Sequence, residues 1–134
     1  MKAYRTSLGV LAVATVALMG ATPARANVEG IWMAKDGGTV RIRNCGGAMC
    51  GIIASVGTRD SSKVRPQVGT PVLMGMRPAG PGKWSGRLYN TDDGKTYDGH
   101  LIELGPDSIR VEGCALFMCG GENLTRVKAT AASQ

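Results

Sequence analysis

Apolar and polar residues alternate with a period of two in several short stretches of the chain. At residues 39–44 valine and isoleucine are separated by arginines, and at 108–113 Ile109 and Val111 are flanked by polar residues. A period of two is typical of a β-strand with one dry and one wet face. After residue 26 no stretch has the apolar spacing of three and four that an amphipathic helix needs. The pattern therefore predicts an all-β domain.

The alternation and the turn residues together predict eight strands. The predicted strands are residues 28–34, 39–44, 49–56, 72–77, 83–90, 96–104, 108–113 and 123–128. Short glycine-containing turns at 35–38, 80–82 and 92–95 are typical of hairpins, where glycine accepts a positive φ. Strands in this number suit a sandwich or a small barrel. Hairpin connections favour an antiparallel up-and-down meander, and closure into a barrel removes its exposed edges.

One connection, residues 57–71, is too long for a hairpin and is mostly polar. Long loops are only sometimes functional. Two interpretations stand at this point: a lid over the mouth of a barrel, or a solvated loop without a role.

The N-terminal residues have the composition of a secretory signal peptide. Lys2 and Arg5 precede an uncharged apolar run at 8–21, and the small-residue pattern ARA follows at 24–26. The apolar run is shorter than the roughly 20 residues of a membrane-spanning helix. We therefore predict a signal helix that is cleaved after Ala26, and the alternative is an uncleaved membrane anchor.

Cleavage changes both the length and the charge of the protein. Residues 1–26 contain three basic residues and no acid, so 108 residues remain and the formal net charge falls from +6 to +3. We predict one domain at 27–128 and a disordered tail at 129–134. The weak positive charge and the few aromatic residues give no support to nucleic-acid binding, and we expect no stable membrane insertion. The oligomeric state stays open.

Four segments after residue 26 carry a specific combination of residues: GIW at 30–32, CGII at 50–53, KWSGRLYNTDDGKTYDGHLIEL at 83–104 and VEGCALFMCGGENLTR at 111–126. They resemble the exported bacterial family of domain of unknown function 2147. The resemblance covers nearly all of the chain after residue 26. It implies a lipocalin-like or calycin-like β-barrel, periplasmic or secreted, from a Gram-negative bacterium, and it implies no particular activity. One departure is Leu124, because the family usually has a tryptophan there.

The resemblance gives a structural role to Gly30, Trp32 and Arg126. In lipocalin-like barrels a G-x-W motif on the first strand plugs the closed end, and an arginine from the last strand lies across the indole. Such a cation–π contact is worth roughly 0.5–2 kcal/mol. The alternative is an ordinary core tryptophan with Arg126 at the surface.

The four cysteines occur in two equal frames, CGGAMCG at 45–51 and CALFMCG at 114–120. Opposed residues of a hairpin have Cβ atoms about 4.5–5.5 Å apart, close to the ~3.8 Å of a disulfide. We predict the local disulfides Cys45–Cys50 and Cys114–Cys119, as expected for an exported protein. Bridges between the frames and a four-cysteine zinc site are the alternatives. We expect no metal and no cofactor, and the spacing is not that of a redox C-x-x-C motif.

His100 is the one histidine of the chain. Alternation places it on the face of Ile102, opposite Leu101. It is either a ligand-orienting donor or general base inside a cavity, or a structural histidine with satisfied hydrogen bonds. The sequence has no phosphate loop and no serine nucleophile elbow, and its paired aspartates at 92–93 occupy a turn. We therefore expect no catalytic residues and no enzyme.

These observations predict an exported, non-enzymatic barrel that binds a small apolar or amphiphilic ligand at its open end. The candidate lining or mouth residues are Trp84, Tyr89, Tyr97 and His100. Methionines can line a pocket for variable ligands or fill a short barrel completely. The alternative function is therefore a solid barrel that acts through its surface as a cell-envelope protein-interaction or stress-related module.

Overall fold

The computed structural model of the protein describes residues 9–17, 27–57 and 66–128. Residues 9–17 have no regular secondary structure, so the predicted signal helix is not found there. The rest of the predicted signal segment, part of the long loop and the predicted tail lie outside the described residues. Cleavage after Ala26 and the tail at 129–134 stay predictions. Among the described residues no helix is long and apolar enough to cross a membrane.

Eight antiparallel strands pair in chain order and close into one barrel. They are β1 Gly30–Met33, β2 Thr39–Asn44, β3 Met49–Ser55, β4 Pro71–Pro78, β5 Lys83–Asn90, β6 Lys95–Gly105, β7 Ser108–Ala115 and β8 Met118–Arg126. The barrel closes where β1 pairs with β8, with Trp32 opposite Arg126. The predicted all-β, up-and-down barrel is confirmed.

The connections alternate between the two ends of this barrel. The β2–β3, β4–β5 and β6–β7 turns lie at one end, together with the start of β1 and the finish of β8. We call it the closed end. The β1–β2, β3–β4, β5–β6 and β7–β8 connections lie at the other end, which we call the open end.

Side chains fill the barrel in its closed half. The largest fully buried ones are Trp32, Ile42, Met76, Leu101, Ile109 and Leu124. Leu124 packs there and lies opposite Ile109 in the β7–β8 pair. The core is therefore an apolar plug at the closed end, drawn from many strands rather than from one hairpin.

Trp32 and Arg126 seal this plug. The indole is fully buried and its Nε1–H donates to the Val28 carbonyl at 2.9 Å. The Arg126 Cζ lies 4.3 Å from the ring centroid, which is the contact that the resemblance implied. Gly30 has φ +137°, and a Cβ there would lie 2.9 Å from Arg126 Nη1. A glycine at this position thus lets the guanidinium reach the indole. The Arg126 guanidinium also donates hydrogen bonds to the carbonyls of residues 27, 29 and 106.

Most predicted strand boundaries lie within two residues of the observed ones, but β8 is an exception. It begins at Met118 rather than at residue 123, and Gly120 pairs with Gly113 while Gly121 pairs with Glu112. Glycine has low strand propensity, so the sequence pattern hid this half of the strand. The ladder forms nevertheless because β7 offers it a continuous partner.

Both disulfides are local, and none of the four cysteines is free. Cys114 and Cys119 are directly opposed in the β7–β8 ladder, as predicted. The other pair differs from the expected geometry, because Cys50 lies opposite Arg43 and Cys45 belongs to the turn. One bridge therefore closes a turn at the closed end and the other clamps a hairpin at the open end. Loops this short predict less than about 3 kcal/mol of stabilisation from each.

Candidate functional site

The open half of the barrel contains a cavity of about 590 Å³. Small-molecule sites typically measure about 300–1,000 Å³, so the volume is in the range of a binding site. Its lower wall is apolar and comes from six strands: Val40, Ile53, Leu73, Leu88, Val111 and Leu124. These residues are continuous with the core plug, which forms the floor of the cavity.

Two glycines oppose each other in the wall of this cavity, and one of them, Gly120, borders open space. Gly113 and Gly120 pair across β7 and β8 and both belong to the cavity wall. A Cβ added at Gly120 would meet no atom within 4 Å. Since this position turns towards the interior, the missing side chain leaves volume that the neighbouring strands do not fill.

Polar groups surround the upper part of the cavity. They include the carboxylates of Asp36, Asp92 and Glu122, and the side chain of Asn90. Asp36 Oδ1 accepts a hydrogen bond from the Gly38 amide at 2.8 Å, and Glu122 Oε2 accepts one from the Lys35 amide at 3.4 Å. The cavity therefore changes from apolar at its floor to polar at its rim.

Tyr97 is held at this rim by a hydrogen bond to the β5–β6 turn. Its hydroxyl donates to Asp93 Oδ2, and the Lys95 amide donates to Asp93 Oδ1 at 2.9 Å. The bond from Tyr97 is the main reason why the pKa of Asp93 lies below its usual value. The same bond to a carboxylate raises the pKa of Tyr97. The turn and the wall of the cavity are thus connected.

Replacing Tyr97 with phenylalanine is expected to raise the pKa of Asp93 towards its ordinary value, because the main hydrogen bond to the ionised form is lost. A folded-state pKa below the unfolded one contributes stability that is present above the unfolded pKa and is lost as pH falls through the folded pKa. The variant should therefore lack this contribution at neutral pH, and its difference in stability from the wild type should disappear in acid, where Asp93 is protonated in both proteins. An NMR titration of the Asp93 carboxyl carbon measures the change, with Tyr89→Phe as control, and an unchanged midpoint would contradict the assignment.

The structure places the four predicted lining residues in different environments. Tyr89 and Tyr97 line the cavity. Trp84 is half-buried and packs against the core cluster, outside the described lining. His100 lies on the outer face, because its neighbour Leu101 is the residue that points into the core. A ligand contact stays a prediction for all four, and the positions of Trp84 and His100 do not support one.

His100 belongs to a polar row across the outside of the barrel. Its Nδ1 lies 3.0 Å from the Ser85 hydroxyl, and Glu112 is its neighbour on β7. His100, Glu112 and Cys114 have potential metal-binding atoms within 4.8 Å of one another. Cys114 is bonded to Cys119, however, and Glu112 accepts a hydrogen bond from Arg110. The group therefore lacks the three available protein ligands that a zinc centre needs.

The sequence analysis missed Asp36 and Glu122 at the rim and Gly120 in the wall. Asp36 was assigned only to a turn, and Gly120 and Glu122 fell outside the predicted strands. The glycines that follow the two second cysteines differ, because a Cβ at Gly51 would meet Leu73 while one at Gly120 would meet no atom, and only the closed barrel shows this difference. Of the long loop, residues 57 and 66 contribute to the cavity wall, and residues 58–65 lie outside the described part.

A family model described as "Uncharacterized protein conserved in bacteria (DUF2147)" matches residues 30–126, from the first residue of β1 to the last of β8. The chain belongs to this family. The match spans every strand of the barrel, so the DUF2147 domain and the barrel are the same unit. It also confirms the resemblance carried by the sequence motifs.

The DUF2147 barrel is also similar to a solved structure. This is protein HP1028 from the human pathogen Helicobacter pylori, which belongs to the lipocalin family. The two share 16% identity with a TM-score of 0.58, over 77% of this chain and 84% of that chain. At this level of identity the likeness shows a common fold. No curated protein matches the chain.

Proposed function

We propose that this DUF2147 protein is a non-enzymatic binding protein for a small apolar or amphiphilic molecule. The observation that carries the proposal is the cavity of about 590 Å³ in the open half of the barrel. A barrel of eight strands is wide enough either to be filled by side chains or to hold one small ligand. Gly120, which lies in the wall of this cavity, adds no side chain that would fill it.

The distribution of polarity supports an amphiphile. Transfer of apolar surface from water to the floor of the cavity contributes roughly 25 cal/mol per Å². A polar head group would stay beside Asn90 and Tyr97, where hydrogen-bonding groups are available at the rim. A ligand with one apolar and one polar end therefore matches the wall along its whole depth.

The position of His100 supports binding without catalysis. It stands on the outer face of β6, away from the described cavity wall, and its Nδ1 is engaged with Ser85. A general base must come within hydrogen-bond reach of the substrate. A ligand inside the barrel would be separated from His100 by the sheet.

A periplasmic or secreted location is part of this proposal. Two disulfides are compatible with an oxidising compartment outside the cytoplasm. The predicted signal peptide at 1–26 points in the same direction.

Replacing Gly120 with tryptophan tests the proposal, because the indole would occupy the cavity without meeting an existing atom near its Cβ. We expect the variant to weaken binding of the neutral dye N-phenyl-1-naphthylamine by about tenfold or more, measured by fluorescence titration. Gly105→Trp is the matched control, since a Cβ there also meets no atom within 4 Å but the position lies at the closed end. Absence of saturable binding by the wild type, or equal affinities of the two variants, would refute the proposal.

Native mass spectrometry of the protein purified from its own periplasm provides an independent test. A small molecule that co-purifies with the wild type and is depleted in Gly120→Trp would support an occupied cavity. A wild-type protein that is repeatedly free of any such molecule would count against a stably bound ligand.

The tip of the β7–β8 hairpin supports a second candidate function, interaction through the surface. Leu116 and Phe117 are fully exposed, Met118 is largely exposed, and residues 113–121 contain no charge. Exposed apolar side chains that lie together mark interaction sites more often than chance. The disulfide Cys114–Cys119 clamps the base of this tip, so its apolar side chains are presented on a constrained turn.

This second candidate predicts that a photo-crosslinking amino acid at Phe117 captures a cell-envelope partner in living cells. The same substitution at Arg87, an exposed position in the wall of the barrel, should not capture it. Equal patterns of adducts at both positions would argue against the hairpin tip as an interaction site.

A further inference from the structure

We infer that the cavity selects a positively charged amphiphile, such as a long-chain amine or quaternary ammonium compound. The inference rests on the proposed function, because it names the chemical class of ligand for the same cavity. It is carried by the charges of the wall, their positions and the absence of internal neutralisation among the described residues.

The charged residues of the described cavity wall all have the same sign. They are Asp36, Asp92 and Glu122, and none of the described lining residues is lysine, arginine or histidine. The chain as a whole has the opposite balance, with 16 basic and 10 acidic residues. An acidic wall in a basic protein is therefore a property of this site and not of the overall composition.

The three carboxylates are not neutralised by ion pairs with described residues. The acidic partners of the ion pairs in the described part of the chain are Asp98, Asp107 and Glu112. Backbone amides donate hydrogen bonds to Asp36 and Glu122, which leaves the negative charge of these groups in place. Within the described part of the wall these carboxylates therefore have no basic partner.

The carboxylates come from separate parts of the rim. Asp36 lies in the β1–β2 turn, Asp92 in the β5–β6 turn and Glu122 on β8. Within the described residues they do not form a cluster of the kind that could chelate one metal ion. This arrangement suits a bulky organic cation, which can experience the field of several carboxylates without direct coordination by all of them.

The surroundings strengthen the charge preference. A cleft that is lined by charges of one sign focuses the field and concentrates ligands of the opposite sign. The apolar floor lowers the local dielectric, so repulsion of an anionic head group is larger than it would be in bulk water. Tyr89 and Tyr97 add aromatic rings to the wall, and aromatic faces attract ammonium groups.

Displacement of the neutral dye by three amphiphiles with the same alkyl chain tests the inference. Dodecyltrimethylammonium, dodecanol and dodecanoate are added below their micellar concentrations to the intact protein that carries the dye. We expect the cation to displace the dye at a concentration about tenfold lower than the anion, with the alcohol between them. Added salt should reduce the difference, because it screens charges at the rim.

The triple variant Asp36→Asn, Asp92→Asn, Glu122→Gln should lose the preference, which is measured as the ratio between the displacing concentrations of the anion and the cation. Asp98→Asn, on the exposed outer surface, is the matched control and should keep the preference. Two results would overturn the charge inference alone. The wild type could bind the neutral dye without preferring the cation, or the triple variant could retain the preference. Failure of the neutral dye to bind overturns the proposed function and this inference with it.

Discussion

Replacing Trp32 with alanine is expected to lower the free energy of unfolding by about 3–5 kcal/mol. The indole is fully buried in the plug at the closed end. Its removal leaves a void that the surrounding strands of a closed barrel cannot easily collapse into. The variant also loses the hydrogen bond to the Val28 carbonyl and the surface on which Arg126 lies. Small domains are stabilised by only about 5–15 kcal/mol, so this is a large fraction of the total.

Chemical denaturation followed by circular dichroism measures the loss. Trp84→Ala is the matched control, because this second tryptophan is half-buried and packs at the margin of the core. The free energy of unfolding should fall less in this variant than in Trp32→Ala. Arg126→Met separates the contribution of the guanidinium from that of the indole. A loss below about 1.5 kcal/mol for Trp32→Ala would mean that Trp32 does not hold the plug together.

Gly121→Ala is expected to have a similarly large effect, through the backbone rather than through the core. A Cβ at this position would lie 1.9 Å from the Val111 carbonyl oxygen and 2.6 Å from the Glu112 Cα. Neither atom is the end of a flexible side chain, so the β7–β8 ladder itself must move. Overpacking typically costs about 1–3 kcal/mol and occasionally more, and a backbone clash of this size belongs at or above the upper limit. We expect a loss of about 3 kcal/mol.

The neighbouring substitution Gly120→Ala is the control for this prediction. It makes the same chemical change in the same strand, but its Cβ meets no atom within 4 Å. Its stability should stay within about 1 kcal/mol of the wild type, since the cost is limited to the change in side chain and backbone entropy. Equal melting curves for the two variants, measured by calorimetry, would show that the two strands can separate locally without loss.

Much of the fold follows from local features of the sequence. The alternation at 39–44 and 83–90 predicted β2 and β5 with their observed bounds. Short turns between successive strands imply an antiparallel meander, and two equal cysteine frames imply local disulfides. Each of these inferences depends on residues that are close in the chain, so no knowledge of distant partners was needed.

The site was less accessible to sequence reasoning, and His100 illustrates why. Alternation correctly separated His100 from Leu101, but a period of two does not say which of two faces is the inside. The buried position of Leu101 decides this and places His100 on the outer wall. Glu122 is the opposite case, a residue of the cavity wall that the sequence did not predict. Its segment was assigned to no strand, and the pairing of Glu122 with Val111 places it at the cavity.

The sequence by itself determined an eight-stranded meander with two local disulfides and an aromatic plug, because these features arise from periodicity, turn residues and family motifs. Only the tertiary structure decided that the open half is hollow and that the described charges on its wall are negative. A cavity is the difference between the space that closed strands enclose and the volume of the side chains pointing into it. That difference depends on residues from nearly every strand at once. It also depends on glycines such as Gly120, which have no side chain to occupy the enclosed space.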